Sequence, residues 1–301
     1  MKTFTYCGYR LASDIELAPF AVPCASSGPV DIRIEWAGPP AALEGPITAR
    51  GALWRWNGQA LLWRLEDIAS FRVAPDGGRI EVDTHADPAS AAVFLLRVIL
   101  PIAALLRGDC LLEGSAVARD GQAVAFIGPS ASGKSTVAAV LAGQGWTWVA
   151  DSLLRISRGP DGRYLAYPQG PGVWLWPDAA GALALADGTE LRPGLPLRQF
   201  PCALEAGPVP ISRIGRLRQQ RGNDLDLFEQ APRQGMRVFE WLLQHQAASQ
   251  LLKGVADRAT SFHWAVGVGR QAPCALLEVP WGWDQLPALA RELTAWAQPS
   301  E

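Results

Sequence analysis

A chain of 301 residues is long enough to bury a large core and to hold one or two domains. Its formal net charge of −2 provides no basic field, so nucleic acid is not expected as a partner. The five cysteines (Cys7, Cys24, Cys110, Cys202 and Cys274) are dispersed without a C-x-x-C pair. That excludes the spacing of a zinc site or a redox pair and fits a reduced, cytoplasmic setting.

Residues 1–86 read as a β-rich module. Met1-Lys2-Thr3-Phe4 runs into Tyr6, Tyr9 and Arg10 without the apolar core of a signal segment. Asp31-Ile32-Arg33-Ile34-Glu35-Trp36 alternates polar and apolar, the period of a half-buried strand. Asn57-Gly58 between two Trp/Leu-rich runs predicts one hairpin, and Asp76-Gly77-Gly78 between 71–73 and 80–82 predicts another. The stretches 23–29 and 38–45 are turn-rich connections. No acid–base cluster lies in this part.

The run 89–106 is the most apolar of the chain. It carries Arg97 and Pro101 and is barely long enough to cross a bilayer, so it reads as a core helix rather than a membrane span. Asp87 suits its N-cap and Pro88 its first turn, and Pro101 is expected to kink it.

A strand candidate follows at 110–118, then the turn Arg119-Asp120-Gly121-Gln122 and the apolar strand 123–127. This places Glu113 on a strand hairpin-paired with 123–127. Its carboxylate could lie near the next loop, or be a solvated edge group, which the pattern fits equally.

Gly128-Pro129-Ser130-Ala131-Ser132-Gly133-Lys134-Ser135-Thr136 then matches G-x-x-x-x-G-K-[ST] at every fixed position. Val137, Val140 and Leu141 form one face of a following helix. In this strand–loop–helix context the glycines allow close approach of backbone to phosphate, and the loop N–H groups make an anion nest. The helix N-terminus adds positive potential. Lys134 would reach the β- and γ-phosphates, and the Ser135 hydroxyl would reach Mg²⁺. Gly143 and Gly145 end the helix. The apolar strand 146–150 then closes on Asp151. An acid at that place, shortly after such a loop, is the usual arrangement for a metal or base carboxylate; the alternative is a turn residue opening the next strand. A hairpin over 153–167, around Gly159-Pro160-Asp161-Gly162, comes next.

Four segments in this order carry a family resemblance: 112–117 (Leu-Glu-Gly-Ser-Ala-Val), the 128–136 loop, 145–151 (Gly-Trp-Thr-Trp-Val-Ala-Asp) and 171–178 (Pro-Gly-Val-Trp-Leu-Trp-Pro-Asp). Together they resemble the catalytic domain of HPr kinase/phosphorylase. The closer likeness is to its shorter HPr-kinase-related relatives, some of which accompany peptide-modifying clusters, lasso-peptide kinases among them. The resemblance covers about residues 105–200. It implies ATP-dependent phosphorylation of a serine hydroxyl on a protein or peptide. Asp151 inherits the general-base role, with Lys134 and Glu113 beside it. This chain departs from the family at two places: a histidine usually stands where Glu113 stands, and the usual second aspartate reads Ser152.

The C-terminal third carries fewer signals. Arg192, Arg198, Arg213, Arg216, Arg218 and Arg221 form a basic stretch, either approaching a phosphate or simply solvated. Residues 236–245 read as a helix, 274–279 as a strand, and Leu286, Leu289, Leu293 and Trp296 mark a terminal amphipathic helix. The thirteen tryptophans are scattered, as core or interface residues are. His85, His245 and His263 show no ligand spacing.

The sequence therefore predicts an α/β chain. A P-loop nucleotide-binding domain of the HPr kinase type (87–301) follows the β-rich module (1–86). The cradle is Gly128 to Thr136, the metal residues are Ser135 and Asp151, and the cofactors are ATP and Mg²⁺. The partner is a protein or peptide with an acceptor serine; neither nucleic acid nor a membrane is expected, and a homo-oligomer is compatible. The alternative is a catalytically degenerate ATP-binding regulator of a peptide-modification system.

Overall fold

The computed structural model describes residues 1–25, 28–39, 42–85, 87–191, 194–220, 230–233, 235–280 and 282–298. The architecture is mixed α/β with three sheets among the described residues. Arg192 and Arg221 of the basic stretch lie outside the described residues, as do parts of the 23–29 and 38–45 connections.

All strands of the first sheet come from residues 2–84. In spatial order they are Val22–Pro23, Lys2–Tyr6, Tyr9–Ser13, Ile32–Trp36, Arg79–Thr84, Ala69–Val73, Leu61–Leu65, Trp54–Trp56 and Ala49–Arg50. Ile32 and Ile34 are fully buried, as the alternation predicts. The first hairpin turns over four residues, with Asn57 Oδ1 accepting from the N–H groups of Gln59 and Ala60 at 2.9 and 2.8 Å. At the second, Val73 faces Ile80. Gly77 there has φ +66°, and a side chain would run into the Ala103 carbonyl of the neighbouring helix.

That helix runs from Pro88 to Leu106, with 72 % of its most apolar window buried inside the protein. It is the only described helix long and apolar enough to cross a membrane, and it packs into one core with the first sheet. Asp87 caps it, accepting from Ser90 N–H at 2.9 Å. The expected disturbance at Pro101 takes a specific form: Leu95–Ile99 widen into a π turn before the proline, and the Leu100 N–H reaches back to Leu95 O. A proline ring crowds the carbonyl four residues earlier and removes a donor, and a π turn accommodates both.

The second sheet carries the site. Its long strand Val209–Gln220 pairs in parallel with Gln122–Ile127 on one side and with Cys274–Pro280 on the other. Gly114–Arg119 and then Thr147–Ala150 extend it antiparallel. Val117, Val124 and Phe126 face the helices Lys134–Gly143 and Leu286–Ala297. Ala116, Ala118, Ala123, Ala125 and Ile127 face Met236–Gln244 and Arg258–Gln271. Period-two alternation in two adjacent strands thus builds a helix–sheet–helix sandwich.

Candidate functional site

Three residues shape the loop that leaves the strand Gln122–Ile127. Gly128, Ala131 and Gly133 have φ of +155°, +61° and +90°. At Gly128 a side chain would also meet the Ser132 hydroxyl at 2.7 Å and the Leu217 carbonyl at 3.0 Å, which explains the glycine. Gly133 caps the helix Lys134–Gly143 without any side-chain cap, so the first helical N–H groups face the loop. Ser132 is 5 % exposed, and its Oγ has no hydrogen-bond partner among the described residues.

Lys134 folds back on the loop. Its Nζ donates to the carbonyls of Gly128 and Pro129 at 3.0 and 2.8 Å. Burial pulls its pKa below the usual lysine range, opposed by the charges of Glu113 and Asp151. An arriving phosphate would oppose it in the same way.

Asp151 is 2 % exposed, and four hydrogen bonds fix it. Its Oδ1 accepts from the hydroxyls of Ser135 at 2.6 Å and Ser115 at 2.7 Å. Its Oδ2 accepts from the Trp174 N–H at 2.9 Å, and its own N–H donates to Gln169 Oε1 at 2.6 Å. The sequence expectation of a base in direct reach of an acceptor hydroxyl therefore meets a carboxylate whose two oxygens are both taken, behind Ser135.

Glu113 differs from its expected place. It lies at a break between Leu111–Leu112 and Gly114–Arg119 rather than within a hairpin strand. The chain changes partner there: Leu111 and Leu112 pair with Arg155 and Leu154, whereas Gly114 pairs with Ile127. At the break the Glu113 N–H donates to His245 O at 2.7 Å. The side chain is exposed and lines a cavity of about 690 Å³ together with Ser130 to Thr136. Ser152, with φ +70°, lines it too.

Sequence reasoning missed other lining residues. Arg97 and Trp174 belong to this cavity, as do Asp178 and Gln219. Gln219 Nε2 donates to Ala131 O at 2.8 Å and steadies the loop. Trp176 and Trp283, 51 % and 44 % exposed, add aromatic wall. The available signal for Arg97 was a charge inside an otherwise apolar core run. The basic stretch resolves into single contacts: Arg218 pairs with Glu278, Arg216 lies over the Trp241 ring at 5.2 Å, and Arg198 is exposed. His245 is buried.

The residues present fit a magnesium nucleotide. Ser135 and Asp151 offer hard oxygens side by side, and the orphaned Ser132 hydroxyl and the loop amides fit phosphate oxygens. No cluster of three or more His, Cys, Asp or Glu occurs among the described residues. A metal here would thus draw its remaining ligands from phosphate and water, as Mg²⁺ does.

No family model matches this chain, and none of the curated proteins matches it. Among solved structures it is similar to the Hpr(Ser) kinase/phosphatase from Coxiella burnetii. That match has 12 % identity and a TM-score of 0.31, over 62 % of this chain and 93 % of the other. A likeness this loose carries no inference about fold or activity.

Proposed function

We propose that this chain is an ATP-dependent kinase that transfers a phosphoryl group to a serine hydroxyl of a protein or peptide. The observation that carries the reading is one contact set. The loop 128–133 ends in a helix whose Lys134 turns toward the loop and whose Ser135 is hydrogen-bonded to Asp151 at 2.6 Å. A buried acid tied to the hydroxyl after the lysine suits a metal-nucleotide site, and its other two donors hold it in place there.

In this reading the loop amides, Ser132 and Lys134 hold the phosphates. Mg²⁺, when bound, is held by Ser135 with Asp151 and supplies charge neutralisation on the phosphates. Trp176 and Trp283 bring aromatic surface on which a purine can stack. Glu113, the carboxylate open to the cavity, receives the hydroxyl proton of the incoming serine. The serine oxygen bonds to the γ-phosphorus as the bond to the bridging oxygen breaks, and ADP leaves. Asp151 holds Ser135 and its neighbours still. Most of the acceleration comes from positioning and charge compensation.

The serine acceptor rests on the resemblance of residues 112–117, 145–151 and 171–178 to the HPr-kinase family. The division into 1–86 and 87–301 belongs to the same proposal, with the helix Pro88–Leu106 as the joint. Five free cysteines fit a cytoplasmic setting.

The test is transfer of label from γ-labelled ATP to serine peptides and to proteins encoded beside this chain. Labelled phosphoserine that disappears with Lys134→Ala supports the kinase. Tight Mg·ATP binding without transfer to any acceptor supports the regulatory reading, which the full engagement of Asp151 favours.

A further inference from the structure

Arg97 sits in the middle of the π turn Leu95–Ile99. With Val98 and Pro101 it forms the face of the core helix that lines the cavity around Lys134 and Ser135. Its neighbours Leu95, Leu96 and Ile99 are fully buried, so the turn carries one charged group out of an apolar core into the cavity.

The guanidinium lies 4.8 Å over the Trp174 ring. The N–H of that same Trp174 holds Asp151 Oδ2, while Asp151 Oδ1 holds Ser135. Arg97 is thereby connected to the Ser135 hydroxyl through two residues. Its charge is felt at Lys134, whose ammonium it disfavours. Among the described residues no carboxylate forms an ion pair with it, and no acceptor takes up its N–H groups.

A half-enclosed guanidinium in the same cavity as Lys134, supported by a ring and by no ion pair among the described residues, keeps its donors open to an anionic ligand. Its planar fork of donors matches the oxygens of a phosphoryl group. Lys134 and a bound Mg²⁺ together still leave part of a triphosphate's negative charge uncompensated. The loop amides lie at the helix end and serve the inner phosphates, whereas Arg97 enters from a different element across the cavity.

We infer that Arg97 is a second phosphate-binding cation of this site and contacts the terminal phosphoryl group of the nucleotide. This inference rests on the kinase reading. It adds a residue outside the loop motif, supplied by the helix that joins the two parts of the chain.

The experiment is calorimetric titration of wild type, Arg97→Met, Arg97→Lys and Lys134→Ala with two probes: Mg·ADP, and the Mg²⁺ complex of a non-hydrolysable β,γ-methylene analogue of ATP. Met keeps the apolar stem on Trp174. Arg97→Met should weaken the analogue by about tenfold or more, the scale of a lost charge-assisted hydrogen bond. Its Mg·ADP affinity should stay within about twofold, well below that scale. Arg97→Lys should recover part of the loss, and Lys134→Ala should weaken both probes. Equal effects of Arg97→Met on the two probes, or no effect on either, would overturn the assignment while leaving the kinase reading in place. Wild type that binds neither probe would overturn the kinase reading and this inference with it.

Discussion

Tyr6 and Asp151 are joined through a single side chain. Gln169 Nε2 donates to the Tyr6 hydroxyl at 2.6 Å, and Gln169 Oε1 accepts the Asp151 N–H at 2.6 Å. Tyr6 belongs to the first strand of the N-terminal sheet and is 1 % exposed. Burial pushes its phenol well above the ordinary range, so it stays neutral. The β-rich part therefore fixes the backbone that aims Asp151 at Ser135. Gln169→Leu leaves a buried N–H and a buried phenol without partners and should cost about 2–4 kcal/mol. Urea unfolding measures it. An unchanged midpoint with unchanged nucleotide affinity would show that the link does no positioning.

The two carboxylates should separate by stability and by rate. Glu113 is exposed, so Glu113→Gln should leave the melting temperature unchanged. Turnover should fall by a factor of about 10² or more, the scale of lost acid–base assistance. Asp151→Asn puts an amide NH₂ among three donors in a buried place, so it should destabilise the fold by about 1–3 kcal/mol as well as impair metal-dependent binding. Thermal melts and steady-state rates on both variants decide this. Full turnover by Glu113→Gln would remove it from the proton step.

His245 should make stability depend on pH. Burial first, then the charges of Arg216 and Lys134, depress its pKa from 6.5 to about 4. The folded state thus disfavours the proton that the unfolded chain binds below 6.5. The stability present above that pH is lost as pH falls toward 4, at a slope of at most about 1.4 kcal/mol per pH unit. His245→Gln should flatten this slope in urea titrations at pH 4.5–7. A slope that survives the substitution would assign it to other groups.

The thiols should be unequal. Burial pushes Cys110, Cys202 and Cys274 up to about 12, and Cys7 higher still. Thiolate is the reactive form, so iodoacetamide at pH 8 should modify the half-buried Cys24 first. Under denaturing conditions all five should titrate as free thiols. Fast native labelling of Cys110 or Cys274 would contradict the packing around them.

Local signals were legible, and long-range pairing was not. The loop 128–136, the strand before it, the caps at Asp87 and Gly145 and both N-terminal hairpins follow from residues within a few positions of each other. Glu113 was misplaced because its strand breaks where His245, far along the chain, binds its backbone. The stretch 209–220 read as basic charge, yet it is the strand at the centre of the sheet. Its buried residues Val209, Ile211, Ile214 and Leu217 keep no steady period of two. A register shift, in which Ala123 pairs with Ile211 and Val124 with Arg213, breaks the alternation that marks a strand. Arg97 escaped because a π turn, not the helical period, decides which way it faces.

The central claim is that the 128–136 loop holds a magnesium nucleotide through Lys134, with Ser135 and Asp151 behind it. Calorimetric titration of wild type and Lys134→Ala with Mg·ATP tests it most directly. The account predicts saturable one-to-one binding by wild type that weakens with EDTA. It predicts a loss of about tenfold or more in Lys134→Ala, the scale of a charge-assisted phosphate contact, at an unchanged melting temperature. Equal affinity of the two proteins, or no heat from either, would contradict it.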